Sequence, residues 1–339
     1  MPVNITFRSK LIGDVHTFCK NSKLGILSDQ LNLVELIVLL SRYQEEGVDL
    51  CPRVYITSDV QAMAKMLPGG EQYKLGTSSA DQKGIKQALK KCAPLATGNW
   101  LIYIADAGEK IEYGVFKGES NPVSVSIDSI LLSKDNDFRA VRVTQLARDC
   151  VETNSSHGDR HYIFLNHRDE DSPPPLQYLE KLVEAITAKV EPERQEALKS
   201  YLNKLLFDAL RQSHGCLIAV SAEEGVPALL STDGVILENS INFSELVAEV
   251  VSKTIDSAQL DSKGTLLKGM LNSDGIVVFN QGAQLLGFNC FVKAANADEV
   301  VGGARRRAFA ALASNVGKTL SAAFMQSQDG WSEFSGANQ

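Results

Sequence analysis

Apolar residues recur at helical spacing over residues 28–47, SDQLNLVELIVLLSRYQEEG, where Leu31, Leu33, Val34, Ile37, Val38 and Leu40 predict the wide buried face of an amphipathic helix. Ser28 or Asp29 is placed to cap that helix and Gly47 to end it. PRVYITSD and HYIFLNH are short apolar runs that predict strands, and NWLIYIADAGEKIEYGVF predicts a hairpin turning at Ala107-Gly108. Residues 80–92 predict a further helix, Gly69-Gly70 a loop, and residues 138–149 a strand passing into a short helix.

The run RDEDSPPP, residues 168–175, interrupts this pattern. Charge followed by three prolines stops an element and removes three backbone donors, so a domain junction is expected there, with domains over 1–170 and 176–339. Beyond it, residues 176–212 predict a long helical stretch broken near Glu191-Pro192, and CLIAVSA a buried strand. VILENSINFSELVAEVVSKTI passes from strand to helix with Ser244 as its expected cap, and SKGTLLKGMLN is again helical. The last quarter holds the hairpin SDGIVVFNQGAQLLGFNCFV, the helix start GGARRRAFAALAS, and the strand-turn LSAAFMQSQDGWSEF. Alternating helices and strands predict an α/β fold with a mixed sheet flanked by helices, preceded by a smaller α/β domain. No internal repeat is apparent.

Composition narrows the function classes. The chain has 339 residues, 44% hydrophobic and 22% charged, with net charge −7 and a pI near 5.4. A non-specific binder of nucleic-acid polymers is normally basic, so that class is disfavoured. No apolar run approaches the roughly 20 residues that span a bilayer. MPVNITFRSKLIGDVHTF lacks a signal peptide's apolar stretch, and Cys19, Cys51, Cys92, Cys150, Cys216 and Cys290 stand singly; together these point to a cytoplasmic protein with reduced thiols.

Three tempting motifs carry little. His157, His161 and His167 lie in loop and strand without a completing Cys or paired carboxylate, so they are expected to be surface or structural histidines. His214 reads as a helix-end residue, and KDNDF at 134–138 as a turn without the glycine and distal Glu of a calcium loop. Gly317-Lys318-Thr319 resembles the tail of a phosphate-binding loop, but Leu312 occupies the earlier glycine position and the stretch follows a helix. Gly317 is expected to end that helix.

The arginines are different. Arg305, Arg306 and Arg307 fall in the first turn of a helix, where each cation opposes the helix dipole by about 0.3–1 kcal/mol. Such a start is poorly stabilised unless an anion joins it. Upstream, Asp274-Gly275 sets a carboxylate and a bare backbone at the mouth of a strand. Successive helical residues point about 100° apart, so the three arginines do not all face one ligand, and Arg306 is the one expected to meet solvent, another subunit or an acidic neighbour.

Taken in order, SDGIVVFNQGAQLLGF, GGARRRAFAAL and AAFMQSQDG resemble the nucleotidyltransferase domain of the diadenylate cyclases, over about residues 176–334. That family carries an Asp-Gly-Ala motif, a Gly-Thr-Arg-His-Arg motif and a Ser-Glu-Glu turn, and HGCLIAVSA resembles its opening strand. EEG after the first helix and EYGVF resemble the sensor-type variants of the fold. The resemblance implies a fold that binds ATP or a related nucleotide and, when catalytic, joins two ATP into cyclic di-AMP with Mg or Mn. It implies Asp274 as the catalytic and metal-holding carboxylate, Asp329 as a second metal ligand, and Gly275, Ile276, Gly303, Arg305, Arg306, Arg307, Ser327, Gln328 and Asp329 as ligand-binding residues.

The departures run one way. Ile276 stands for the family's Ala, Ala304 for Thr, Arg306 for His, and Gln328-Asp329 for two glutamates. Anion-binding residues are kept while metal-handling ones thin out, which favours a nucleotide or cyclic-nucleotide sensor with reduced or absent cyclase activity. An active diadenylate cyclase, and an interaction protein that has lost its ligand, are the competing expectations. The expected partner is a nucleotide, with a homodimer or an effector protein as the outlet, and neither membrane nor nucleic-acid polymer.

Overall fold

The computed structural model describes residues 7–119, 121–134, 137–165, 176–292, 303–327 and 330–337. Two compact units emerge, Met1–Ser120 with Ser124–Ser172, and Asn121–Val123 with Pro173–Gln339. The expected junction segment 168–175 lies outside the described residues, as do His167, Gln328 and Asp329.

The first unit opens with α1 (Phe7–Ser22) and α2 (Gln30–Leu40), then the small hairpin β1 (Gln44–Glu45) and β2 (Val48–Asp49). It continues with β3 (Arg53–Thr57), α3 (Val60–Met66), β4 (Glu71–Ser79), α4 (Gln82–Cys92), β5 (Leu101–Asp106) and β6 (Lys110–Lys117). After α5 (Ile127–Leu131) come β7 (Ala140–Ala147), β8 (Cys150–Ser155) and β9 (Arg160–Phe164). The seven-stranded sheet has the order β4-β6-β5-β3-β7-β8-β9, and within it only β3 and β5 pair in parallel.

Several local expectations are corrected. The first helix stops at Leu40, not Gly47, and Gly47 (φ 83°) instead turns the β1–β2 hairpin. Asp29 is its cap, accepting from the Leu31 N–H. A 3.6-residue period puts Leu33, Leu36, Ile37 and Leu40 on one buried face and throws Leu31 and Val38 out, each 48% exposed. Residues 140–147 are strand throughout; Asp149 (φ 64°) makes a tight turn into β8 where a short helix was expected. The first unit's main sheet has seven strands against six in the second.

The second unit runs α6 (Leu179–Ile186), α7 (Pro192–Gln212), β10 (Cys216–Ser221), α8 (Ala228–Ser231), β11 (Val235–Asn242), α9 (Phe243–Val251) and α10 (Ser257–Leu271). It ends with β12 (Ile276–Asn280), β13 (Gln284–Cys290), α11 (Ala304–Ala313), β14 (Leu320–Gln326) and β15 (Ser332–Gly336). The long helical stretch breaks as expected, with Pro192 at the first turn of α7, where its missing N–H costs nothing. Asn242, not Ser244, caps α9, because its carboxamide oxygen reaches the Glu245 N–H while Ser244 already lies inside the helix. α11 closes at Ala313, four residues before Gly317, whose φ of 80° serves the turn into β14.

The sheet order is β11-β13-β12-β10-β14-β15, again with one parallel pair, β10 and β12. Helices α6, α7, α9 and α10 pack on one face, through Leu202, Leu206, Phe243, Leu267 and Phe324. Helices α8 and α11 cover the other, through Leu230, Phe309 and Leu312 on Leu217, Ile276 and Met325. All six cysteines are free, and among the described residues no helix is long and apolar enough to cross a membrane.

Strand for strand, the two units share one topology. Each of β3 to β8 corresponds to one of β10 to β15 in sheet position, direction and chain order; the first unit adds β9 at the sheet edge and the separate β1–β2 hairpin. The helices correspond as well: α3 and α5 lie on one face of the first sheet as α8 and α11 do on the second, with α1, α2 and α4 opposite. The sequence shows no repeat because a topology is specified by where apolar residues alternate, not by which residues they are.

Candidate functional site

Sheet register collects the expected residues at one end of the second sheet. Leu217 on β10 is level with Ile276 on β12, so Gly215 and Asp274-Gly275 lead into these parallel strands at the same end of the sheet. Across the other edge of β10, Cys216 pairs Gln326, and Gln326 pairs Ser332 on β15. Ile276 pairs Cys290 on β13. The ends of β13, β12, β10 and β14 therefore present Asn289, Asp274-Gly275, Gly215 and Ser327 in a row, roughly 4.8 Å apart per strand.

Two glycines form the floor of that row. Gly275 has φ 91°, and a methyl there would lie 2.8 Å from the backbone of Asn289. Gly215 also has φ 91°, and its methyl would lie 2.5 Å from Arg305 Nη1 and 2.8 Å from the Gln326 carbonyl oxygen. Left-handed backbone and close approach both require glycine here. Asn289 was not singled out from sequence. Between Ile276↔Cys290 and Val278↔Gly287 the β13 side carries one extra residue, a bulge, and Asn289 sits in it at φ 53°. Its carboxamide makes no hydrogen bond among the described residues. An asparagine before the apolar pair Cys290-Phe291 was the available signal, since asparagine tolerates this backbone best after glycine.

α11 starts from Gly303, which offers no side-chain cap, so Arg305, Arg306 and Arg307 do occupy its first turn or so. They diverge. Arg305 lies over Gly215 and has no carboxylate within ion-pair distance among the described residues. Arg306 turns away, 3.6 Å from Glu333 and 5.7 Å from the Trp331 ring centroid, as an acidic neighbour was expected to hold it. Arg307 interacts within the protein. Burial pushes the Cys216 thiol up to about 12, against the opposing field of Arg305.

Unmet polar atoms lie at this end of β14 and β15. Among the described residues Gln326 Oε1, Ser327 Oγ and Ser332 Oγ are buried with no hydrogen-bond partner; Gln326 and Ser332, paired across the two strands, face the α7 side, where Gln326 Nε2 donates to the Leu210 carbonyl at 3.0 Å. A buried polar atom left so costs about 1–3 kcal/mol, which water or a ligand relieves. The Asp274 carboxylate is exposed and, among the described residues, accepts only from the Gly275 N–H, at 2.9 Å. Ile276 is 1% exposed and belongs to the core beneath α11, so its extra bulk acts through packing. A cleft of about 330 Å³ on the α11 side of the sheet is lined by Leu229, Thr232, Val292, Ala311 and Ser314. Ala311 is four residues from Arg307, hence on the same side of the helix.

No group of three His, Cys, Asp or Glu side chains converges among the described residues, and Asp274 is the one described member of the expected metal pair. His161 packs edge-on against Phe18, with ring centroids 5.4 Å apart, the structural role expected of it. No family model, no curated protein and no solved structure matches the chain.

Proposed function

We propose that the second unit is a diadenylate-cyclase-like domain that binds a nucleotide or cyclic nucleotide as a sensor, with little or no cyclase activity. One observation carries this: among the described residues Arg305 stands without a counter-charge over Gly215, at the sheet end that also carries the Ser327 hydroxyl, unpartnered among those residues, and Asp274-Gly275. A phosphate seated there receives a guanidinium fork, a hydroxyl and the free N–H groups at the start of α11.

Binding is a matter of positioned donors and needs no metal from the protein. The described donors do not by themselves make a metal site, since Asp274 is one carboxylate and Asp329 lies outside the described residues. Isothermal titration of the full chain with ATP and with cyclic di-AMP tests the reading. At least tenfold weaker binding is expected for Arg305→Ala with Arg307→Ala; equal affinity in wild type and variant would refute it. A cyclic dinucleotide and pyrophosphate formed from ATP and manganese, found by mass spectrometry, would replace the sensor reading with that of an active cyclase.

A further inference from the structure

The shared topology aligns the two units element by element, and one position is then informative. Arg305 is the second residue of α11; Asp128 is the second residue of α5, the corresponding helix. Where the second unit sets a guanidinium with no carboxylate partner among the described residues, the first sets a carboxylate. The cation comes from the sheet instead: Arg142 on β7, the counterpart of β14, is paired directly with Tyr55 on β3.

Arg142 is 5% exposed, yet both of its terminal nitrogens are engaged. Nη1 donates to Asp128 Oδ2 and Nη2 to Glu152 Oε2, while the Tyr55 hydroxyl donates to Asp128 Oδ1 and Arg160 Nε to Glu152 Oε1. Burial pushes the Asp128 carboxyl up, but Arg142 and Arg53 outweigh it and hold the group below the ordinary carboxylate range. On β14 the corresponding face carries Ala323 and Met325, with no charge to offer.

We infer that the chain carries one ligand-binding fold twice, and that the first copy meets its cation from within: the Asp128 carboxylate, at the helix position that Arg305 holds in the second, engages Arg142 and Tyr55 and so leaves them no external anion to bind. The first unit then takes no anion, and the whole chain takes one. The second-unit half of this statement rests on the nucleotide reading; the first-unit half does not.

Removing the internal anion exposes its receptor. In full-length Asp128→Ala the Arg142 guanidinium and Tyr55 hydroxyl lose one partner, and formate is the carboxylate just deleted. Thermal unfolding is followed in sodium formate and in sodium chloride of equal ionic strength. The expected result is a lowered midpoint that formate, and not chloride, saturably restores, with no such response in wild type or in Asp128→Ala with Arg142→Met. Should Asp128→Ala not accumulate folded, refolding yield with formate against chloride gives the same comparison. A variant that responds to formate no more than wild type overturns the assignment. Titration with ATP separates the two halves: one site per chain, lost in Arg305→Ala, is expected, and two sites per chain overturn the internally filled copy. Absence of ATP binding in wild type removes the nucleotide reading and leaves the formate result to decide the first unit.

Discussion

Gly215→Ala tests the floor of the candidate site through two separable effects. The backbone there has φ 91°, which disfavours any residue with a Cβ. The new methyl also meets two neighbours, Arg305 Nη1 at 2.5 Å and the Gln326 carbonyl oxygen at 2.8 Å. The guanidinium ends a flexible side chain and swings aside cheaply. The carbonyl belongs to a β14 residue paired with Cys216 and has little room to move. Backbone strain and the carbonyl contact together are expected to cost about 1–3 kcal/mol, with Tm falling by about 2–4 °C per kcal/mol for a unit of this size. Chemical denaturation of Gly215→Ala in the wild-type and Arg305→Ala backgrounds measures the two effects apart. The same loss is expected in both backgrounds, together with weakened nucleotide binding only where Arg305 is present to be displaced. A loss under about 0.5 kcal/mol, the ordinary size of a neutral surface change, or one that vanishes in the Arg305→Ala background, refutes the proposed crowding.

Three further outcomes are expected. Asn289→Gly should leave stability unchanged or raised, since glycine accepts φ 53°, whereas Asn289→Val should lose about 1–2 kcal/mol in denaturant titrations. Because the folded-state pKa of Asp128 is depressed, its pairing with Arg142 contributes stability above the unfolded carboxylate pKa and loses it as pH falls through the lower folded value. Acid titration of stability should therefore be shallower in Asp128→Asn than in wild type across that window. The Cys216 thiol, buried and raised to about 12, should resist thiol reagents at neutral pH in the folded protein and react on unfolding, as mass spectrometry of trapped adducts would report.

Much of the second unit is legible in its residues because local signals there agree. The continuous apolar run Ile276 to Phe279, the turn at Gln281-Gly282, the Pro192 start and the closely spaced apolar residues of α11 all specify elements from short-range chemistry. The expected errors were of another kind. Leu31 and Val38 look like core until a neighbouring sheet fixes which side of α2 is buried. Ser244 and Asn242 are both plausible caps, and only the strand arriving from β11 selects Asn242.

What the chain's own order of residues determined was the inventory: an α/β pattern, three adjacent arginines against a helix dipole, and an Asp-Gly strand mouth. What the tertiary structure alone decided was their arrangement. Register brought Gly215, Asp274 and Ser327 to one end of the sheet, helix rotation sent Arg305 to that end and Arg306 to Glu333, and a one-residue bulge brought Asn289 beside Gly275. It also revealed one topology used twice, with Asp128 paired to Arg142 at the helix position where the second copy has Arg305, which meets no carboxylate among the described residues. Pairing across a sheet joins residues far apart in the chain, so neither their adjacency nor the correspondence of the two units is written in any local run of sequence.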